Sequence, residues 1–247
     1  TNNPFYKKDE ENKEFGHSKE KFLNFPWWGK EGYQESFFGF KSGYEENFAS
    51  QLSKFYNKHH TCLEIGCGGG FWSKKYLCPN FSRVVGVDLL PSEQISILNE
   101  NSPPDNFEYI EVGDRDYSCS KINDESIDFV FSFGVFCHMP NSAVSSYLDS
   151  IYRKLKFGGQ ALITFADFYK YKKYLPDNEW VDEKIGSINE LLLDFDLQNK
   201  CRDETDFTSW YYMDHTILHE ILLDSRFSYY QDVSLKGDRE CAIHFKK

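Results

Sequence analysis

The sequence predicts an α/β fold, in which a doubly wound, mostly parallel sheet of seven strands ends in an antiparallel hairpin. Two observations lead to this prediction. Between residues 61 and 166, short and nearly continuous apolar segments alternate with helical segments. That alternation is typical of parallel strands whose two faces are covered by helices. Near the C-terminus, two segments of alternating polar and apolar residues surround Lys236, Gly237 and Asp238, which indicates a hairpin.

The predicted elements follow one another in a regular order. The strands are expected at TCLEI, RVVGVDL, FEYIEV, SIDFVFSFGV and QALITFA, and the intervening helices at FWSKKYL, SEQISILNEN and AVSSYLDSIYRKLK. Gly158 and Gly159 are expected to stop the last of these helices, because glycine commonly follows a helix end. HTILHEILLDS predicts one more helix before the hairpin strands FSYYQDVSL and RECAIHF.

Two segments outside this alternation are expected to cover the carboxyl edge of the sheet, where open α/β sheets bind ligands. Residues 1–58 predict an N-terminal lid that is aromatic and then helical, with Phe48, Leu52 and Phe55 on one helical face. Residues 59–247 are the predicted ligand-binding domain. Within it, residues 167–213 predict an insertion that shapes a pocket.

Composition excludes several classes of function. The 39 acidic residues outnumber the 28 basic ones, which gives a net charge of -11. A field of this sign disfavours nucleic acid as a partner. The seven cysteines contain no CxxC pair, which argues against a disulfide framework or a structural zinc site. No apolar segment approaches the roughly 18 residues of a membrane span. We expect a cytoplasmic protein without a membrane partner, as a monomer or homodimer.

Four glycines stand among the five residues 66–70, directly after the first predicted strand. Such a cluster marks a turn in which the backbone comes close to a ligand, and a following helix offers free N–H groups. A dinucleotide fingerprint would require glycine at position 71, which is Phe71. A phosphate-binding loop would require a Lys-Ser/Thr pair after its last glycine, and none follows. The turn therefore predicts a different nucleotide-like ligand.

The order of motifs resembles that of the class I S-adenosylmethionine-dependent methyltransferases. Their first motif is an acid, any residue and then G-x-G-x-G, which EIGCGGG matches. VVGVDLLPS, VGDRDY, SIDFVFSFGVFCHM and LKFGG are similar to the family's later blocks, in the same order and at similar spacing. The resemblance covers about residues 58–166 and the final hairpin, and it implies a Rossmann-like methyltransferase fold.

The resemblance implies S-adenosylmethionine as the cofactor. Glu64 suits its sulfonium and amino groups, and Asp88 is placed to bind both ribose hydroxyls. Either Asp114 or Asp116 is expected at the adenine, with Asp114 preferred. The predicted cofactor-binding residues are Glu64, Gly66, Cys67, Gly68, Gly70, Asp88, Leu89, Asp114, Arg115 and Phe133.

Two histidines are candidate catalytic residues, because a neutral hydroxyl acceptor needs a general base. His138 follows the fourth strand, beside the expected methyl group, although a structural role is an alternative. His215 begins the last helix, four residues before His219, but no metal is expected because no HExxH motif accompanies them.

The acceptor is predicted by exclusion. The family's enzymes that methylate amino groups of adenine, cytosine or glutamine carry [ND]-PP-[YF] after the fourth strand, where this chain has SFGV. A small molecule, sugar or glycan precursor is therefore expected as the acceptor, with O-methylation as the reaction. The alternatives are N-methylation of a small metabolite, aminopropyl transfer, and a non-catalytic cofactor-binding subunit.

Overall fold

The computed structural model describes residues 44–113, 116–139, 141–167, 215–233 and 241–247. These residues form a seven-stranded sheet in the order β3-β2-β1-β4-β5-β7-β6. The strands are β1 Asn57–Ile65, β2 Phe81–Asp88, β3 Phe107–Glu111, β4 Ile127–Ser132, β5 Leu155–Phe165, β6 Tyr229–Asp232 and β7 Cys241–Lys246. The α-helices are α1 Tyr44–Leu52, α2 Asn141–Lys154 and α3 His215–Asp224.

The sheet has the predicted topology. Strands β1 to β5 pair in parallel, and β7 pairs antiparallel with both β5 and β6. This confirms the doubly wound fold and the terminal hairpin strands. Because β1 lies between β2 and β4, the chain leaves it in opposite directions along the sheet. Ligands bind at such a switch point, outside the carboxyl ends of the strands.

Both faces of the sheet are covered by apolar side chains. On one face, β-strand residues such as Leu63 and Val130 pack with the buried residues of α2 and α3. On the other face, α1 packs Phe48 and Leu52 into a cluster with strand residues. The Phe48 ring lies 4.8 Å from that of Phe133, centroid to centroid. The predicted apolar face of α1 is therefore confirmed, and this helix is part of the core.

The glycine pair does not end the helix as expected. Helix α2 ends at Lys154, and β5 begins at the next residue. Gly158 has φ +76°, and its amide donates to Lys247 O while the Lys247 amide donates to Gly159 O. The pairing of β4 with β5 is irregular here. The two glycines form an irregularity in β5 that hydrogen bonds with Lys247 hold in place. Because Lys247 lies far away in the sequence, local helix propensity does not predict this contact.

SEQISILNEN is not an α-helix but two short 3₁₀ turns, Ser92–Gln94 and Ser96–Asn99. Ile95 between them is extended, with φ -84° and ψ 105°. Both Ile95 and Ile97 are buried with Leu90, a spacing of two residues that a continuous helix would not bury on one side. The tertiary packing therefore overrides the helical pattern.

Three further boundaries differ from the sequence prediction. Strand β1 begins at Asn57, four residues before TCLEI. FWSKKYL contains a π-helical turn at Ser73–Leu77. Strand β5 begins five residues before QALITFA. Most of the predicted lid (1–43), the insertion and the hairpin turn lie outside the described residues. Within the described ranges, no helix is both long enough and apolar enough to cross a membrane.

Candidate functional site

The turn after β1 adopts a backbone that only glycine takes easily. Gly66, Gly68 and Gly70 have φ values of +70°, +51° and +90°, and this left-handed region is costly for residues that carry a Cβ atom. A Cβ atom at Gly66 would lie 2.2 Å from Val135 Cγ2, and one at Gly70 would lie 2.5 Å from Ile97 Cγ2. The turn is therefore packed between the segments that follow β4 and β2.

Asp88, at the end of β2, joins its own loop to the glycine turn. Its Oδ2 accepts a hydrogen bond from the Gly68 amide at 2.8 Å, and its Oδ1 accepts one from the Leu90 amide at 3.1 Å. Burial raises the pKa of the Asp88 carboxyl above its usual range, whereas the hydrogen bonds from Gly68, Leu90 and Leu89 act to lower it. The sequence prediction did not include this bracing role.

Glu64 lies on β1, between Gly86 of β2 and Phe131 of β4. It is 2% exposed, and Ser73 Oγ donates a hydrogen bond to its Oε2. Burial raises the pKa of the Glu64 carboxyl to about 8, the hydrogen bond from Ser73 lowers it, and the charge of Asp88 raises it. Glu64 thus connects the strand end to the turn of helix after the glycines.

The end of β3 is only partly described. Asp114 and Arg115 lie outside the described residues, so their predicted adenine contact stays a prediction. The Asp116 carboxylate accepts hydrogen bonds from both the amide and the hydroxyl of Ser118. Asp116 therefore stabilises its own turn, and its carboxylate is less available to contact an adenine than the sequence alone suggests.

The segment after β4 forms the facing wall. Ser132 Oγ donates to Ile65 O at 2.9 Å, and the Gly134 amide donates to Thr164 Oγ1 at 2.9 Å. Phe133 is buried, with its ring 4.9 Å from that of Trp72. These contacts tie the segment to the ends of β1 and β5.

The candidate catalytic histidines are described by their backbone alone. His138 ends the 3₁₀ turn Phe136–His138, directly after the β4 segment. His215 is the first residue of α3. His219, one turn into α3, contacts Tyr230 near the start of β6, and the chain between β5 and α3 lies outside the described residues. That His215 lies at the carboxyl edge therefore stays a prediction. Across the described ranges, no three His, Cys, Asp or Glu side chains group as a metal site would.

The geometry fits the adenosyl cofactor that the sequence resemblance implies. Gly66, Gly68 and Gly69 of the turn are partly exposed, and the Gly69 amide donates to no group in the described part of the chain. The Asp88 oxygens accept backbone amides and, with about four lone-pair sites on a carboxylate, retain capacity for a further hydrogen bond. A ribose diol and an amino acid end find suitable partners in such a set of groups.

The structure brings together most of the predicted cofactor residues and adds others. Gly66, Gly68, Gly70 and Asp88 meet in one network, and Cys67 is buried below it, near Gly86. Sequence reasoning missed Val135, Ile97 and Ser73, because their contacts with the glycine turn and with Glu64 depend on the fold.

Comparisons with known proteins agree with the predicted type of domain. A family model described as "Methyltransferase domain" matches residues 63–163, the span from the end of β1 to the end of β5. No protein with a curated description matches the sequence significantly.

Several solved structures share the fold. A protein from Pyrococcus horikoshii OT3 is 19% identical, with a TM-score of 0.61 over 93% of this chain and 99% of that one. A SAM-dependent methyltransferase from Methanosarcina mazei is 19% identical, with a TM-score of 0.55 over 80% of this chain and 96% of that one. A proposed O-methyltransferase from Nostoc punctiforme PCC 73102 is 16% identical, with a TM-score of 0.54 over 81% of this chain. This chain spans only 56% of the length of that protein. At these identities the likeness establishes the fold alone.

Proposed function

Because the chain belongs to the class I S-adenosylmethionine-dependent methyltransferases, we propose that it methylates a hydroxyl group of a small molecule, sugar or glycan precursor. The observation that carries the proposal is the glycine turn at the carboxyl end of β1. It combines three left-handed glycines with a bracing carboxylate from β2. When bound, the cofactor supplies a methyl group that its sulfonium already activates.

The proposed task of this chain in the reaction is alignment and exclusion of water. The partly exposed backbone at Gly66 and Gly68 would lie against the cofactor, and Asp88 would accept hydrogen bonds from the ribose hydroxyls. Burial raises the pKa of the Glu64 carboxyl in the free protein, and a positively charged amino end bound above it would favour the ionised carboxylate. Fixing two reactants in line contributes a large part of the rate in displacements of this kind.

The acceptor class is supported by the segment at the end of β4. SFGV replaces the [ND]-PP-[YF] motif of the amino-group enzymes, and Ser132 uses its hydroxyl to bond Ile65 O and so to hold the strand ends together. The net charge of -11 disfavours polyanionic acceptors. Together these features support an uncharged hydroxyl compound as the acceptor.

A hydroxyl acceptor requires removal of its proton, and His138 is the proposed general base. The preceding Val135 packs against Gly66, so the turn that carries His138 starts beside the glycine turn. A base that receives the acceptor proton contributes about 10²–10⁴-fold to the rate. His215, at the start of α3, is the alternative base.

The test is a methyl-transfer assay with labelled cofactor against a panel of phenols, alcohols and saccharides, each paired with the matching amine. We expect the label on oxygen. His138→Ala should slow turnover by about 10²–10⁴-fold while cofactor affinity is retained, and the control His219→Ala should keep the full rate. His219 is exposed on α3 and contacts Tyr230.

Four results would contradict the proposal. Label on nitrogen would assign an N-methyltransferase. Product formed only from decarboxylated cofactor and a polyamine would assign an aminopropyltransferase. Cofactor binding with no turnover on any acceptor would indicate a non-catalytic subunit. A normal rate in His138→Ala would return that residue to a structural role and leave His215 as the base to test.

A further inference from the structure

Tyr147 is a buried tyrosine whose hydroxyl has no hydrogen-bond partner among the residues that the structure describes. It lies on the face of α2 that packs on the sheet and is 5% exposed. Its hydroxyl forms no hydrogen bond with any residue in the described part of the chain, and the hydroxyl oxygen is not sealed off from solvent. Burial of a tyrosine normally comes with a partner for its hydroxyl. We therefore expect the hydroxyl to form its hydrogen bond with a bound ligand.

The neighbours of the Tyr147 ring show where this residue lies in the fold. The Tyr147 ring centroid lies 5.1 Å from that of Tyr117, which follows β3, and 5.6 Å from that of Phe136, which follows β4. In the sheet, β2 and β1 lie between these two strands. Tyr147 therefore lies below the carboxyl ends of the central strands, next to the proposed cofactor site.

The charges around the hydroxyl agree with this position. Burial raises the pKa of Tyr147, and electrostatic interaction with nearby ionisable groups, Asp88 and Asp116 among them, raises it further. Asp88 and Asp116 come from the ends of different strands, so the hydroxyl is within electrostatic reach of both loops. It stays protonated at neutral pH and can act as a hydrogen-bond donor.

We propose that the Tyr147 hydroxyl donates a hydrogen bond to a ring nitrogen of the cofactor's adenine and thereby selects an adenosyl group. This inference rests on the proposed cofactor site. Beyond Asp88, on the β3 side, Tyr117 and Tyr147 pack against each other and form an aromatic wall against which the base would lie. The ring nitrogens of a purine are acceptors and match this donor, whereas the Asp116 carboxylate already accepts from Ser118.

The test measures binding of S-adenosylhomocysteine by calorimetry, so that no turnover is needed. Tyr147→Phe removes the hydroxyl and keeps the ring, and we expect affinity to fall about 3- to 10-fold, as for one hydrogen bond. Tyr152→Phe on the same helix is the matched control, because its ring packs on Phe227, away from the strand ends. The control should bind as the wild type does.

A second series identifies the accepting atom. The 1-deaza, 3-deaza and 7-deaza analogues of S-adenosylhomocysteine each lack one ring nitrogen. The wild type should bind one of these analogues more weakly than S-adenosylhomocysteine, by about the same factor by which Tyr147→Phe weakens binding of S-adenosylhomocysteine. Tyr147→Phe should bind that analogue and S-adenosylhomocysteine equally well. This series on the wild type also tests the proposal if the variant fails to fold.

Several outcomes would overturn the inference. One is an affinity of Tyr147→Phe equal to that of the wild type, and another is an equal loss of affinity in Tyr152→Phe. A third is that the loss from Tyr147→Phe multiplies with the loss from each of the three analogues. The last is that the wild type loses no affinity with any analogue. If the wild type itself does not bind S-adenosylhomocysteine, the proposed cofactor site is wrong as well. If the wild type binds it and only the Tyr147 results differ from expectation, the cofactor site stands and this inference alone is wrong.

Discussion

At the scale of single residues, the site depends on the absence of a Cβ atom at Gly66. Its φ of +70° resembles that of Gly158, which is +76°. The two differ in their surroundings, because a Cβ atom at Gly66 would meet Val135 at 2.2 Å, whereas one at Gly158 would meet no described atom within 4 Å. Alanine at Gly158 would therefore introduce backbone strain alone, whereas alanine at Gly66 would introduce the same strain and a steric clash with Val135.

Gly66→Ala should lower the free energy of unfolding more than Gly158→Ala does. Both variants place alanine in the left-handed region, at a cost of about 1–2 kcal/mol. Only Gly66→Ala adds overpacking, for which about 1–3 kcal/mol is typical. Urea unfolding of both variants measures the difference. Adding Val135→Ala to Gly66→Ala should recover part of the loss, and equal losses in the two single variants would show that the Val135 contact is unimportant.

At the scale of elements, one carboxylate couples the loops after β1 and β2. Asp88 accepts from the amides of Gly68 and Leu90, and these two residues lie 22 positions apart in the sequence. A corresponding brace exists on β4, where Asp128 accepts from the Thr61 amide and pairs with Lys156. Substituting each aspartate in turn therefore distinguishes an effect on the geometry of the site from an effect on the stability of the fold.

Asp88→Ala should weaken cofactor binding by about 10- to 150-fold, since it removes charged hydrogen bonds worth about 1.5–3 kcal/mol. Calorimetry measures the affinity, and hydrogen exchange should show faster exchange of the Gly68 and Leu90 amides. Asp128→Ala should lower stability and leave the affinity unchanged. Unaltered exchange at residues 68 and 90, or an equal affinity loss in Asp128→Ala, would contradict the coupling.

At the scale of the whole molecule, the covered sheet keeps a carboxyl group away from water. Glu64 lies on the central strand and is 2% exposed, and burial is the largest cause that raises its pKa to about 8. In the unfolded chain an ordinary glutamate ionises near pH 4.3. Between these two values the folded protein holds a proton that the unfolded chain has released.

The free energy of unfolding should therefore fall as the pH rises from about 5 to 8, by up to about 1.4 kcal/mol per pH unit. The stability that protonated Glu64 provides is fully present below the unfolded pKa and is lost as the pH rises through the folded one. Glu64→Gln should lack this decline, whereas Glu108→Gln, exposed on β3 beside Arg83, should retain it. Urea unfolding at several pH values tests this, and parallel curves for the wild type and Glu64→Gln would contradict it.

The sequence by itself determined the alternation of strands and helices, the glycine turn at residues 66–70 and the acid at the end of β2. These features are local, because glycine clusters, apolar runs and strand-end acids act through the backbone of their own segment. The same local reasoning was wrong for SEQISILNEN and for the helix stop at Gly158, where distant contacts override propensity.

Only the tertiary structure decided which groups surround the turn. Val135 packs against Gly66, and Ser73 donates a hydrogen bond to Glu64. Tyr147, on a helix that starts much later in the chain, packs against Tyr117 and Phe136. These contacts depend on the strand order, which brings the loops after β1, β2, β3 and β4 to one edge. Burial there changes the protonation of Glu64, and a pattern of residue types does not contain that information because burial is a property of the folded chain.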